Sequence, residues 1–290
     1  MTAPLKIGPR AGVIGSPIAH SRSPIIHEHW LKTLGLAGSY DRILVEPAAL
    51  SGFIAAMREQ GLVGCNATIP HKEAVAALCQ RLTPVAKALG AANTLWFEEG
   101  ALWGDNTDVM GFIASLDEAA PGWSARTSTA RLLGAGGAAR GVVYGLAERG
   151  VRLIEIANRG HDRAEAMAVD LAPLAARFGA RIVVIDWAAR SGGLGKVELL
   201  VNTTSLGMHG QPRLEIDVGG LPDGAVVADA VYVPLQTALL KAARVRGLVG
   251  VDGLGMLLHQ ARPGFERWFG RAPVVTPELR RLVEADIPKE

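Results

Sequence analysis

Residues 132–140 read Leu-Leu-Gly-Ala-Gly-Gly-Ala-Ala-Arg, and their flanks make this the most constraining stretch of the chain. A short apolar run leads into the glycines, an amphipathic segment at 138–149 follows, and a second apolar run comes at 152–157. That order spells strand, tight turn, helix, strand, a βαβ unit that needs a parallel sheet. Glycines at such a turn let the backbone approach a pyrophosphate, and the helix N-terminus attracts it. Gly134, Gly136 and Ala139 meet the G-x-G-x-x-G/A spacing, with Gly137 as a further small residue, so the segment predicts a dinucleotide site.

An NAD site usually carries Asp or Glu about 20 residues further on, at the end of the second strand, to bind the ribose hydroxyls. Here Asn158 and Arg159 stand there instead. A carboxylate would repel a 2′-phosphate, whereas Arg159, with Arg163 one helical turn later, can neutralise it through charge-assisted hydrogen bonds. The expected cofactor is therefore NADP. Solvated surface arginines are the plainer reading of the same two residues.

Similar alternation runs through the chain and predicts an α/β fold. Strands are expected at 11–15, 40–45 and 64–69, helices at 24–34, 47–60 and 71–79, and a hairpin at 94–103 turning around 98–100. Asp108 reads as a cap for the helix after it. A polar, turn-rich stretch at 121–129 reads as a domain boundary. Beyond the βαβ unit, strands are expected at 181–185, 199–201 and 226–228, with helices at 164–178, 235–246, 254–269 and 277–285.

Polar clusters border the strands of the first half: Ser21 to Pro24, Asn66 to Lys72, Ala92 to Thr94, and Gly104 to Asp108. Loops at strand ends are where α/β proteins place ligand groups, so these hydroxyls and amides suit a small polyhydroxylated molecule; ordinary turn and capping chemistry is the alternative. Lys72 falls in the first turn of a predicted helix, where the positive end of the dipole disfavours a cation. Such an ammonium can hand a proton to a substrate oxygen, with Asp108 as the carboxylate that orients it. A lysine snorkelling to water is the competing explanation.

The balance of 30 Lys and Arg against 28 Asp and Glu leaves a net charge of +2, too small an imbalance to mark a nucleic-acid or anionic-membrane partner. No apolar run reaches the ~18 residues of a membrane span, and no signal peptide is expected. His27 and His29 are two apart and diverge on a helix; the other histidines are scattered, and no metal is expected. Cys65 and Cys79 have no ligand or disulfide-framework spacing, which fits a reducing cytoplasm.

With these residues in order, the chain resembles the shikimate dehydrogenase family along nearly its whole length. The carrying segments are 15–24, 66–72, 90–95, 104–108, 134–140, Asn158 with Arg159, 202–208, 229–234 and 252–256. The resemblance implies a reversible NADP-linked reduction of 3-dehydroshikimate to shikimate, in the route to chorismate and the aromatic amino acids. It implies an N-terminal α/β substrate domain, 1–108 with 253–290, and a Rossmann-like NADP domain, 109–252, the last helices returning to the substrate domain. By position, Ser21, Ser23, Asn66, Thr68, Lys72, Asn93, Asp108 and Gln260 would contact substrate, with Lys72 and Asp108 as the acid/base pair. Gly134, Ala135, Gly136, Gly137 and Ala138 would surround the pyrophosphate, and Asn158, Arg159 and Arg163 the adenosine phosphate. Ala230, Tyr232, Gly253 and Met256 would lie near the nicotinamide.

Two departures stand out: Gly160 occupies a position where the family often has Thr, and Pro263 interrupts the small-residue run after Gln260, where it removes a helical hydrogen bond and is expected to bend the helix. A quinate/shikimate dehydrogenase or shikimate dehydrogenase-like paralogue shares the fold and Lys72; a non-catalytic NADP-binding regulator is the alternative of another kind. Ser21 with Ser23 fits the shikimate-preferring pattern, and Arg159 opposes an NAD-preferring quinate enzyme. A homodimer and a monomer are both open.

Overall fold

The computed structural model describes residues 8–288. The chain divides into two compact units, one formed by the residues up to Thr107 with Gln260–Asp286, the other by Asp108–His259.

In the first unit the order is β1 (Arg10–Gly15), α1 (Ser23–Thr33), β2 (Ser39–Leu44), α2 (Leu50–Ala56), β3 (Leu62–Ala67), α3 (Lys72–Leu78), β4 (Arg81–Leu82), α4 (Pro84–Leu89), β5 (Thr94–Glu98) and β6 (Ala101–Asp105). The sheet order is β2-β1-β3-β5-β6-β4. β1 pairs in parallel with β2 and β3, but β5 runs antiparallel to both β3 and β6. That reversal follows from the hairpin, whose turn carries Glu99 and Gly100 at positive φ. It puts the start of β5 and the end of β6 on the same sheet edge as the carboxyl ends of β1 and β3. One face of the sheet buries Ile14, Cys65, Ala67 and Leu95 against Ile54, Met57 and Val75.

Some expected elements change here. The helix expected at 47–60 is a 3₁₀ turn, Pro47–Ala49, followed by α2, which ends before Gly61 at φ 76°. α4 has no counterpart among the expected elements, although its punctuation is complete: Thr83 accepts from the Ala86 N–H, Pro84 opens the first turn, and Gly90 closes it in the left-handed region.

The second unit continues with α5 (Asp108–Ala119), β7 (Thr129–Leu133), α6 (Gly137–Glu148), β8 (Leu153–Asn158), α7 (His161–Arg177), β9 (Arg181–Asp186), β10 (Leu199–Asn202), β11 (Val226–Asp229), α8 (Ala238–Val245) and β12 (Val249–Val251). All its strand pairs are parallel, in the order β12-β11-β10-β7-β8-β9. This is the doubly wound arrangement, with its switch point between β7 and β10. Leu133, Leu200 and Val227 pack against Leu239, Leu240 and Ala243 of α8.

The stretch at 121–129 is not the division between units. α5 packs on α6, which ties the residues from Asp108 onward to the second unit, and 121–129 becomes an internal connection containing one 3₁₀ turn, Ser124–Arg126. Asp108 is also the first residue of α5 and not a residue before it.

The last helices are α9 (Gly253–Phe269) and α10 (Pro277–Ala285), the latter capped by Thr276. α9 belongs to the second unit through His259 and to the first from Gln260. Pro263 lies inside it, and the helix runs on to Phe269.

Candidate active site

At the carboxyl edge of the first sheet, β1 and β3 end side by side. The Thr68 N–H donates to the Ile14 carbonyl at 2.9 Å, and the Ser16 N–H to the Ile69 carbonyl at 3.1 Å. The loop after β1 carries Ser21 and Ser23; the loop after β3 carries Thr68 and leads into Lys72. Ligands of open α/β sheets bind outside this edge, where two such loops diverge.

Asn66 and Asn93 are the polar hubs there, both buried. Asn66 Nδ2 donates to the Asn93 carbonyl and to Thr94 Oγ1, each at 3.0 Å, so Oδ1 is the atom that accepts from the Tyr40 hydroxyl at 2.5 Å. Asn93 Oδ1 accepts from the Thr107 N–H at 2.8 Å and from the Thr94 hydroxyl at 3.1 Å, while Nδ2 donates to Gln260 Oε1 at 3.3 Å. Gln260 thus meets Asn93 and Thr107, residues far from it in the sequence.

Lys72 is the first residue of α3 and is half-buried. Its carbonyl accepts from the Ala92 N–H at 2.8 Å, next to Asn93. His71 before it is buried and donates from Nε2 to the Val45 carbonyl at 2.7 Å, anchoring the start of the helix. Ser23 is buried, Ser21 and Thr68 half-buried, and the Ser21 hydroxyl accepts from the Ser23 N–H at 3.4 Å. Asp108, the expected partner of Lys72, belongs to the second unit.

The other candidate residues lie at or after the carboxyl ends of β7, β8, β11 and β12 in the second sheet. Gly134 follows β7 with φ 113°, and a Cβ there would lie 2.7 Å from Thr203 Oγ1 and 3.0 Å from Thr204 Cγ2. Only glycine suits that backbone and that approach. Ala135 is buried beneath the turn. Gly136 is the N-cap of α6 and supplies no side-chain cap; no acidic residue occupies the first turn, where Ala138 lies. A Cβ on Gly137 would meet nothing within 4 Å. The turn is therefore an open cradle at the positive end of a 12-residue helix, which fits a pyrophosphate. At the end of β8, Asn158 Nδ2 donates to the Gly160 carbonyl at 2.8 Å, and Arg159 and Arg163 are exposed. Arg163 Nη2 comes to 3.9 Å of a Cβ built on Gly136. These residues fit the phosphate of NADP, and Gly160, the N-cap of α7, adds no hydroxyl.

A buried network holds the far side of this sheet. Asn202 Nδ2 donates to Asp229 Oδ1 at 2.9 Å, which also accepts from the Val231 N–H at 3.0 Å, while Thr237 donates to Oδ2 at 2.7 Å. Burial raises the Asp229 carboxyl above its ordinary value, and these hydrogen bonds oppose the shift. The network shapes the loop carrying Ala230 and Tyr232. A Cβ on Gly253 would lie 2.2 Å from the Ala230 carbonyl oxygen, so α9 starts in direct contact with that loop. Met256, half-buried, follows within its first turn. Among the described residues, no group of three or more His, Cys, Asp or Glu is placed to hold a metal ion, and no helix is long and apolar enough to cross a membrane.

Sequence reasoning did not single out Tyr40 or Thr107 by role. Thr107 lay inside a noted cluster, but Tyr40 occupies an ordinary strand position, and only the fold directs its hydroxyl to Asn66.

Comparison with known proteins identifies the family. Residues 13–95 match the model of the shikimate dehydrogenase substrate binding domain, and residues 253–275 that of the shikimate 5'-dehydrogenase C-terminal domain. The chain is 56% identical to the shikimate dehydrogenase (NADP(+)) of Methylocella silvestris over 281 residues, 97% of this chain and 98% of that one. Among solved structures, it resembles quinate dehydrogenase from Corynebacterium glutamicum in complex with NAD, with a TM-score of 0.87, 33% identity, and coverage of 96% and 99% of the two chains. It also resembles the shikimate 5-dehydrogenase from Thermus thermophilus in complex with NADP(H) and shikimate, with a TM-score of 0.81, 34% identity, and coverage of 97% and 100%.

Proposed function

The chain belongs to the shikimate dehydrogenase family, and from that premise we propose that it catalyses the reversible NADPH-dependent reduction of 3-dehydroshikimate to shikimate, in the pathway to chorismate and the aromatic amino acids. The observation that carries this reading is the gathering of Asn66, Asn93, Thr107 and Gln260 by mutual hydrogen bonds at one edge of the first sheet. Amides and hydroxyls suit a ring bearing several hydroxyl groups and a carboxylate. We assign the first unit to the substrate and the second to NADP, with the cytoplasm as the working compartment, in keeping with two free cysteines.

NADPH, when bound, supplies the hydride that reduces the ring carbonyl. The residues of this chain manage the charge and the proton. As the carbonyl oxygen becomes negative, the Lys72 ammonium donates a proton to it; in the reverse direction the neutral amine takes that proton from the substrate hydroxyl. Asp108 orients Lys72 and accepts from a substrate hydroxyl. Ser21, Ser23, Asn66, Thr68, Asn93 and Gln260 hold the ring. Gly134, Ala135, Gly136, Gly137 and Ala138 receive the pyrophosphate, Asn158, Arg159 and Arg163 the adenosine phosphate, and Ala230, Tyr232, Gly253 and Met256 bound the nicotinamide side.

The likeness to a quinate dehydrogenase bound to NAD supports a second reading, a broader quinate/shikimate enzyme. Initial rates with shikimate and quinate, each against NADP and NAD, decide between them. Shikimate with NADP should give the highest kcat/KM. Equal or higher values for quinate replace the first reading with the second, and no turnover of either acid leaves a non-catalytic NADP-binding regulator.

A further inference from the structure

We propose that Tyr40 is a positioning residue for the substrate site: its buried hydroxyl sets the direction of the Asn66 amide. The inference rests on the dehydrogenase reading and adds to it a residue that does not itself touch substrate.

A count of donors and acceptors carries the argument. Both protons of Asn66 Nδ2 are already directed to the Asn93 carbonyl and Thr94 Oγ1, so the amide oxygen faces Tyr40 and only the phenol can donate in that 2.5 Å bond. The phenol has one proton. That proton goes to Asn66, so the bond is ordered and ties the strand β2 to the end of β3. It leaves Asn66 Oδ1 with one lone pair beyond the Tyr40 bond. The amide is held in one orientation when substrate arrives, because its oxygen is anchored by Tyr40 and its two protons by Asn93 and Thr94.

The Tyr40 ring is fixed for this task. It stacks on His27 at 3.8 Å between ring centroids and 2° between planes. Trp30, Phe265 and Trp268 surround the His27 ring at 5.7, 5.8 and 5.7 Å. Trp268 is pinned by its own N–H, which donates to the Leu95 carbonyl at 2.9 Å. Burial lowers the His27 pKa to about 3 and raises that of Tyr40 well above its ordinary value, so the imidazole is neutral and the phenol keeps its proton. The aromatic cage thus makes no charge of its own and serves to hold one hydroxyl. From Gln260 onward, α9 supplies both Gln260, to Asn93, and the cage residues Phe265 and Trp268, to His27 and Tyr40.

Tyr40→Phe removes one oxygen and keeps the ring in the stack. In steady-state kinetics it should raise KM for shikimate about tenfold, with kcat within about twofold and KM for NADP unchanged, since a buried acceptor loses its partner. Combined with Asn66→Ala, its effect on KM should fall well short of the product of the single effects, because the two act through one bond. An unchanged KM, fully multiplicative effects, or a parallel loss in KM for NADP overturns the proposal. A second measurement needs no Tyr40 variant: with 3-fluorotyrosine at the three tyrosines, shikimate added without NADP should shift the ¹⁹F resonance of Tyr40, assigned by elimination from Tyr144→Phe and Tyr232→Phe. No shift of that resonance overturns the proposal in the same way. If the wild-type enzyme does not turn over shikimate at all, the dehydrogenase reading fails first; if it does and Tyr40→Phe matches it, only the role of Tyr40 fails.

Discussion

Asn93 Nδ2 donates to Gln260 Oε1 at 3.3 Å, across 167 positions of sequence. Thr107 Oγ1 reaches the same glutamine oxygen at 3.5 Å. Gln260 therefore orients two groups at the sheet edge. Gln260→Ala should raise KM for shikimate by about fivefold to tenfold, the effect of one lost buried hydrogen bond, with kcat/KM for shikimate falling in step. An unchanged kcat/KM removes Gln260 from the substrate site.

Loss of a positioned general acid typically costs about 10² to 10⁴ in rate. Lys72→Ala should lower kcat by that factor while NADP affinity, read by fluorescence titration, persists. Asp108→Asn should do likewise, and the double variant should be little worse than either single, because the two act as one unit. If Lys72→Ala keeps near-normal kcat and raises only KM, Lys72 positions the substrate and the proton donor lies elsewhere.

Coenzyme choice should follow the arginines. Arg159→Ala should raise KM for NADP about tenfold to a hundredfold, the range of a charge-assisted hydrogen bond, and leave KM for NAD nearly unchanged. Equal changes for both coenzymes would refute the 2′-phosphate assignment.

The two glycines of the cofactor turn should separate folding from binding. Gly134→Ala forces a side chain onto φ 113° and against Thr203, so it should destabilise the chain by about 1 to 3 kcal/mol in urea melts. Gly137→Ala meets no protein atom and should leave the melt unchanged or slightly improved, since Ala is the better helix former. Its methyl group would stand in the cradle, and NADP affinity should fall. Unimpaired NADP binding by Gly137→Ala would move the pyrophosphate elsewhere.

The His27 cage makes stability depend on pH with a defined sign. The folded-state pKa is about 3 against 6.5 for the free side chain. Between those values the unfolded chain binds the extra proton, so stability is full above pH 6.5 and falls as pH drops toward 3. From pH 7 to pH 5 the loss from this one group is about 2 kcal/mol. His27→Phe, which keeps a ring on Tyr40, should lack that component, and the difference between the two proteins in urea melts at the two pH values isolates it. Parallel curves would mean that His27 takes up its proton in the folded state.

Much of this protein was legible in its sequence because the signals are local. The glycine turn at Gly134, the hairpin around Glu99 and Gly100, and α10 between Pro277 and Ala285 are each written in neighbouring residues. α4 was written there too, in Thr83, Pro84 and Gly90, but with only six residues it shows no periodicity to draw attention to it. The polar stretch at 121–129 misled for the opposite reason, since turn chemistry marks the end of an element and does not reveal which unit that element packs in. Tertiary structure alone decided the rest. The antiparallel reversal of β5 brings Asn93 beside Asn66, α9 carries Gln260 to Asn93, and the cage of His27, Phe265 and Trp268 aims the Tyr40 hydroxyl. Each of these depends on hydrogen bonds and ring contacts between residues far apart in the chain. Periodicity and spacing describe what a residue does to its neighbours, whereas these partners meet only once the sheet order and the packing of the helices are set.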